Sequence, residues 1–218
     1  MSMERNSPEV KASRRYDASA RRAQARQRRA AIVEAARRKF LDVGYAATTV
    51  AAIAADASVS VETIYKAFGG KPGLVRAIRD EALEGTGPRP AEDRSDELQA
   101  TERDPRKIIH GWGVLTAEVA PRVAPILLLV RDAASDPEMA RLQAELDEQR
   151  LARMMHNAQT LATAGHLRND VTVEQAAELM WTYTSPELYE LLVHKRSWPP
   201  QRFGAFVADA LIAALLPA

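Results

Sequence analysis

Apolar residues recur every three or four positions along most of this chain, the period of helices that bury one stripe. Ile32, Val33, Ala36 and Phe40 set the period within a first helix predicted over residues 22–43, and Gly44 is a suitable stop. Val50, Ile53, Ala54 and Ala57 repeat it over a short second helix, which Thr48 or Thr49 can cap through its hydroxyl oxygen. Ala57-Ser58-Val59 then reads as a tight turn and Ser60 as a second cap, with Val61, Ile64 and Phe68 the inward stripe of a third helix. Gly69-Gly70 breaks that helix. A fourth begins near Lys71, with Pro72 in its first turn, where a missing N–H is harmless, and Leu74, Val75 and Ile78 on its apolar face.

The pattern then lapses. Three helix breakers between Gly85 and Pro90, and mixed charge from Arg94 to Asp104, predict a linker over 85–104 with at most a short helix near residues 95–100. Lys107 to Val119 restores the period through Ile108, Trp112, Leu115 and Val119; Pro121 and Pro125 then start a short apolar helix through Ala134. Ser135-Asp136-Pro137-Glu138 is a strong helix start, and one long helix is predicted from Met139 to Ala164. Another runs from Thr172 to about Thr184, with a restart or kink at Ser185-Pro186, and a last one follows Pro199-Pro200. Residues 1–20 are polar and without period, which predicts disorder. The expected organisation is a basic arm over 1–21, a first domain over 22–84, the linker, and a larger helical domain over 105–218.

Composition narrows the class. Alanine, leucine, arginine and glutamate dominate, aromatic residues make up 6%, and long β-branched runs are absent, so the expected fold class is all-α. Without cysteine there is neither a disulfide framework nor a thiolate metal site. No apolar N-terminal leader is seen, and the apolar run Ala124 to Val130 is too short for a bilayer; the expectation is a cytoplasmic chain with no membrane partner. No catalytic constellation stands out. His110, His156, His166 and His194 are scattered, there is no phosphate-cradling glycine loop, and the serines lack a nucleophile-elbow context. The chain is therefore expected not to be an enzyme and to need no cofactor or metal.

The formal net charge of +1 hides an asymmetry: 16 Lys+Arg against 8 Asp+Glu up to Asp80, and 14 against 21 beyond it. The excess lies beside the two short helices, where Arg14, Arg15, Arg21, Arg22, Arg26, Arg28 and Arg29 approach the first helix; flexible arginines there suit phosphates or a minor groove. A short helix with a buried stripe and a small polar outer face suits a major groove of DNA. By chemistry, Lys66 and Lys71 are candidates for phosphate, and Thr48, Thr49, Thr63 and Tyr65 can donate hydroxyl hydrogen bonds to it. Val61 and Glu62 are candidates for base edges, through a thymine methyl and a cytosine amino group, and Ser60 at the helix start completes the set.

Thr49-Val50…Ile53-Ala54, Val59-Ser60, Thr63-Ile64-Tyr65 and Phe68, followed by Lys71 and Leu74, resemble the DNA-binding half of the TetR family of bacterial transcriptional regulators. The resemblance covers about residues 26–80. It departs at Ser58, where the family has glycine in the turn, and at Ala67, where it has histidine before the closing Phe. Ser58 must adopt a left-handed backbone or tighten the turn differently. The resemblance implies a helix-turn-helix domain followed by a larger ligand-binding and dimerisation domain, double-stranded DNA with a pseudo-palindromic operator as partner, a homodimer, and a small hydrophobic effector.

For the dimer, Leu188, Leu191, Leu192 and Val193 crowd one late helix, while Phe203, Phe206, Val207, Ala210, Leu211 and Ala214 stripe the other. For the effector, the expected cavity lining is Trp112, Leu115, Thr116, Val119, Ile126, Leu129 and Val130 with Met154, Met155, Ala158 and Trp181; Thr116, Tyr183 and Thr184 are its expected hydrogen-bonding groups. The rival readings are a helical enzyme or ligand carrier with a structural first domain, and a sequence-indifferent architectural DNA binder. Preference for a short palindrome, weakened by salt, separates all three.

Overall fold

Ten α-helices and one π-helical turn make up the regular structure of the described residues, 8–217 of the computed structural model, with side chains from Arg21 onward. They are α1 (Pro8–Ala47), α2 (Val50–Asp56), α3 (Val61–Phe68), α4 (Lys71–Glu84) and α5 (Ala91–Thr101). After them come α6 (Pro105–Asp132), α7 (Pro137–Thr163), α8 (Val173–Tyr183), α9 (Pro186–Tyr189) with its π-helical turn Glu190–His194, and α10 (Pro200–Leu215).

Local chemistry sets most boundaries. Thr49 caps α2 by accepting from the Ala52 amide, Ser60 caps α3 by accepting from Thr63, and Thr172 and Gln175 form a reciprocal capping box on α8. Ser185 accepts from the Leu188 amide, so α9 is a restart rather than a kink. Gly44, at φ 83° and ψ 165°, breaks the helical path of α1 where a stop was expected. Ser58 takes the left-handed option, at φ 53°. A side chain there costs about 1–2 kcal/mol. Ser58→Gly is expected to stabilise the protein by about 1 kcal/mol in urea melts; an unchanged midpoint would mean that the Ser58 side chain offsets the strain.

Three expectations are corrected. α1 begins at Pro8, not near Arg22; its first turns are rich in strong helix formers, so propensity carries them without an apolar period. Residues 1–7 of the expected disordered arm, and the side chains of Arg14 and Arg15, lie outside the described residues. The expected linker holds α5, whose only buried residues are Ala91 and Ser95. Ion pairs dock it: Arg153 of α7 reaches Glu92 at 3.0 Å and Asp96 at 2.6 Å. α6 is one helix that runs through Pro121 and Pro125. Each ring removes an amide donor, and the helix survives because α1, α4, α5, α7, α9 and α10 all pack on it.

α6 as a whole is long and apolar enough to cross a membrane, although no uninterrupted apolar run within it is. In this fold it is the central helix, with Ile108, Ile109, Trp112, Ala124, Ile126 and Val130 buried.

The apolar stripes meet in two cores that do not follow the expected domain boundaries. The first joins Ile32, Phe40, Ile53, Ile64, Leu74 and Ile78 of α1–α4 to Ile126 and Val130 of α6 and Met139, Leu142 and Leu146 of α7. The second gathers Ile108, Ile109 and Trp112 of α6, Ala158 and Leu161 of α7, Met180 of α8, and Phe203, Val207, Leu211 and Leu215 of α10. Gly113 and Gly204 let α6 and α10 cross closely: a Cβ on Gly204 would lie 2.2 Å from the Gly113 carbonyl oxygen.

Candidate DNA-binding face and effector cavity

The α2–turn–α3 unit stands on the first core through Ile53, Ala54 and Ile64. That leaves Glu62, Lys66, Val61 and Tyr65 outward, the last two 39% and 54% exposed. Large apolar groups displayed on a helix this short make contact surface for a groove, where a thymine methyl or a sugar can meet them. Thr63 is half-buried, its hydroxyl 2.8 Å from that of Ser60. Thr49 and Ser60 are exposed at the N-termini of α2 and α3, beside amides that favour a phosphate. Arg22, Arg26 and Arg28 are exposed along α1, while Arg29 lies over the Phe68 ring at 4.5 Å and pins α1 to α3.

Two expected DNA contacts are spent inside the protein. Thr48 is buried, and its hydroxyl donates to the carbonyls of Lys39 (3.1 Å) and Gly44 (2.8 Å), closing the kinked end of α1. Lys71 donates to the carbonyls of Tyr45 (2.6 Å) and Thr48 (3.0 Å) and sits 4.0 Å from the centre of the Tyr45 ring. Burial holds its ammonium below the usual lysine range, against the opposing pull of Asp136. Both residues brace the α1–α2 corner under the reading helix. Nothing local in the sequence marks this, since Lys71 and its acceptors are more than twenty positions apart.

The second feature is a cavity of about 420 Å³ lined by α4, α5, α6, α7, α8 and α10. Its wall includes six expected residues: Trp112, Leu115, Thr116, Val119, Met154 and Thr184. Ile126, Leu129 and Val130 belong instead to the first core or pack against it, because the last turns of α6 face α1 and α4. Ala158 is fully buried and Met155 packed in the second core, on the face of α7 that meets α8. Trp181 is covered by the Arg150 guanidinium at 4.1 Å, and Tyr183 packs edge-on against Phe206.

The sequence reading missed the polar part of the wall: Arg79, Glu92, Ser95, Gln149, Arg150, Arg153 and Asn157. A signal was available in Arg150 and Arg153, one helical turn apart on α7 just before Met154. Arg79 donates to Gln149, and Arg76, one turn earlier, meets Glu145 at 2.5 Å. The helix that follows the reading head is thus clamped to the cavity wall.

On the late helices, Phe203, Val207 and Leu211 are buried in the protomer's own core, contrary to their expected place in a dimer face. Phe206, Ala210 and Ala214 remain half-exposed at i, i+4 and i+8 of α10; Leu188, Leu192 and Val193 are half-buried and Leu191 is 49% exposed.

Residues 32–78, the span that holds the cap–turn–cap unit and its supporting core, match the model of the bacterial regulatory proteins of the tetR family. Those residues carry the DNA-binding domain of that family. Proteins of that family are DNA-binding transcriptional regulators. The "Probable HTH-type transcriptional regulator ArpR" of Pseudomonas putida is 29% identical over a match that takes in 80% of this chain and 89% of that protein. NalD of Pseudomonas aeruginosa, described as the secondary repressor of the MexAB-OprM multidrug efflux pump, shares the fold with a TM-score of 0.68 at 17% identity, covering 88% of this chain and 98% of NalD. SmeT in its complex with triclosan superposes with a TM-score of 0.67 at 21% identity, over 88% and 92% of the two chains.

Proposed function

We propose that this protein is a homodimeric TetR-family repressor that leaves a pseudo-palindromic operator when a small, largely hydrophobic effector fills the α4–α8 cavity. The outward set on α3 is the observation that carries the reading: Val61 and Glu62 sit at its first turn for base edges, while Tyr65 and Lys66 flank them for the backbone. Thr49, Ser60 and Thr63 add hydroxyl contacts. The DNA-binding domain is α1–α4, with α2 and α3 as its reading head; residues 105–218 supply the dimer face and, together with α4 and α5, the effector cavity.

One head buries too little for specific binding, so a second copy has to supply the other half-site. The stripe Phe206–Ala210–Ala214, with Leu188, Leu191, Leu192 and Val193, is the proposed dimer face; two copies would meet there as a four-helix arrangement. NalD's role as a repressor and SmeT's complex with triclosan support the reading by likeness.

The test is fluorescence anisotropy on duplexes carrying an inverted repeat selected from random DNA. Lys66→Ala is expected to weaken binding to every duplex and to flatten the salt slope by roughly 2 per dimer, one phosphate contact per head. Glu62→Gln is expected to change preference at one position of each half-site by about 1–3 kcal/mol. Equal affinity for all duplexes would favour an architectural DNA binder, and a stable monomer at micromolar concentration in sedimentation would remove the paired-head arrangement.

A further inference from the structure

The cavity wall has an unusual surplus of donors. Three buried N–H groups among its lining residues have no acceptor: Nε of Arg79, Nε of Arg150 and Nε1 of Trp112. Buried donors without partners are costly and uncommon in folded proteins, and three around one cavity describe the complement of an acceptor-rich guest. The wall also carries three guanidinium groups, of Arg79, Arg150 and Arg153, against one carboxylate, Glu92.

Two of the three are paired: Arg153 with Glu92 and Asp96, and Arg79 with Asp80 at 3.2 Å. Arg150 is the least compensated, with Asp147 a distant 3.8 Å away. Arg150 is only 15% exposed and is held in place by the Trp181 ring and the Trp181 carbonyl. Burial pulls its guanidinium down to about 10, against the opposing influence of Asp147 and Glu187, so it stays cationic at neutral pH but incompletely compensated. Leu83, Leu115, Val119, Val123, Leu127 and Leu146 make the remainder of the wall apolar.

Resting on the reading of this cavity as the effector site, we propose that its effector class is an amphipathic organic anion. A carboxylate, or a similar compact acceptor, draws the Arg79 and Arg150 guanidinium groups inward and gives their buried Nε donors an acceptor, and an apolar body fills the leucine and valine end. Arg79 is the residue through which the headgroup reaches α4. Its guanidinium already bonds Gln149 and lies one turn beyond the Arg76–Glu145 clamp, so an anion drawn between Arg79 and Arg150 engages the helix that follows the reading head. A neutral hydrophobe fills the same volume and leaves the donors unmet.

Three probes of one shape separate the possibilities: 6-phenylhexanoate, 6-phenylhexan-1-ol and 6-phenylhexylammonium, titrated calorimetrically into the full chain at pH 7. The carboxylate is expected to bind at least ten-fold tighter than the alcohol, and the ammonium weakest. Arg150→Gln and Arg79→Gln should each erase most of the carboxylate's advantage while keeping the alcohol's affinity. Equal affinity for carboxylate and alcohol, or tighter binding of the ammonium, would overturn the anion assignment and leave the cavity a site for neutral or cationic molecules. Should none of the three bind, both the assignment and the effector reading of the cavity would fall. The same probes added to the protein–operator complex report on the functional reading alone: a carboxylate that binds tightly without altering DNA affinity would confirm the headgroup chemistry and refute the switch.

Discussion

Gly204→Val is expected to destabilise the protein by about 4 kcal/mol or more, enough to unfold much of it at 37 °C, and Gly204→Ala by about 3 kcal/mol. The reason is the crossing of α6 and α10. A Cβ on Gly204 would lie 2.2 Å from the Gly113 carbonyl oxygen and 2.8 Å from the Ala117 Cβ; one on Gly113 would lie 2.5 Å from the Gly204 carbonyl oxygen. The obstacle is backbone in both directions, so no rotamer change relieves it and the helices have to separate. Separation strips contacts from Phe203, Val207 and Leu211, all buried in the core that α6 and α10 share. Gly111→Ala is the control on the same helix. Its Cβ would meet the Leu98 Cδ2 at 2.2 Å, the end of a flexible side chain on α5, so it should cost about 1 kcal/mol. Urea denaturation of the three variants checks the order; a Gly204→Ala variant no less stable than Gly111→Ala would refute the close crossing.

Such crossings explain what the sequence could and could not reveal. The cap–turn–cap unit was legible because its determinants are local: Thr49 and Ser60 bond amides three residues ahead, and Val50, Ile53 and Ala54 in α2 and Ile64 and Phe68 in α3 recur at helical spacing. The all-α class and most helix starts followed from the same short-range rules. Roles that depend on distant partners were not legible. Lys71 looks like a phosphate ligand until Tyr45 and Thr48 take its donors, and Thr48 looks like a cap until Lys39 and Gly44 bury its hydroxyl. α5 escaped because ion pairs to Arg153 dock it in place of an apolar stripe. The cavity was half legible: α6 shows one continuous apolar period, but its early turns line the cavity while its last turns close the core beneath the reading head. Which of the two a given leucine serves depends on where α4 ends and α7 crosses, and no periodicity records that.

The second large effect is expected at Glu118, where the chain between α4 and α5 is tied to α6. Its carboxylate accepts from Arg94 at 2.7 and 2.9 Å and from the Thr86 and Gly87 amides at 2.5 and 3.2 Å. Gly85 and Gly87 permit the wrap, since a Cβ on Gly85 would lie 2.3 Å from Glu118 Oε1 and one on Gly87 2.6 Å from the Arg94 guanidinium carbon. The Arg94 hydrogen bonds, opposed by burial and helped by the two amides, hold the Glu118 carboxyl down to about 2, against an ordinary value of 4.5. A carboxyl lowered on folding stabilises the protein fully above its unfolded value, and the contribution drains away as pH falls through 4.5 towards 2. Glu118→Gln is therefore expected to cost about 2–3 kcal/mol at pH 7, discounted from a fully buried pair because both side chains keep about a fifth of their surface in water. The difference from the parent should shrink below pH 4.5 and nearly vanish near pH 2. Because this lock lies directly after α4, its loss should also speed hydrogen exchange at the Thr86 and Gly87 amides before the rest of the fold loosens. A Glu118→Gln variant whose deficit stayed constant from pH 7 to pH 3 would show that the effect is one of shape rather than of the ion pair.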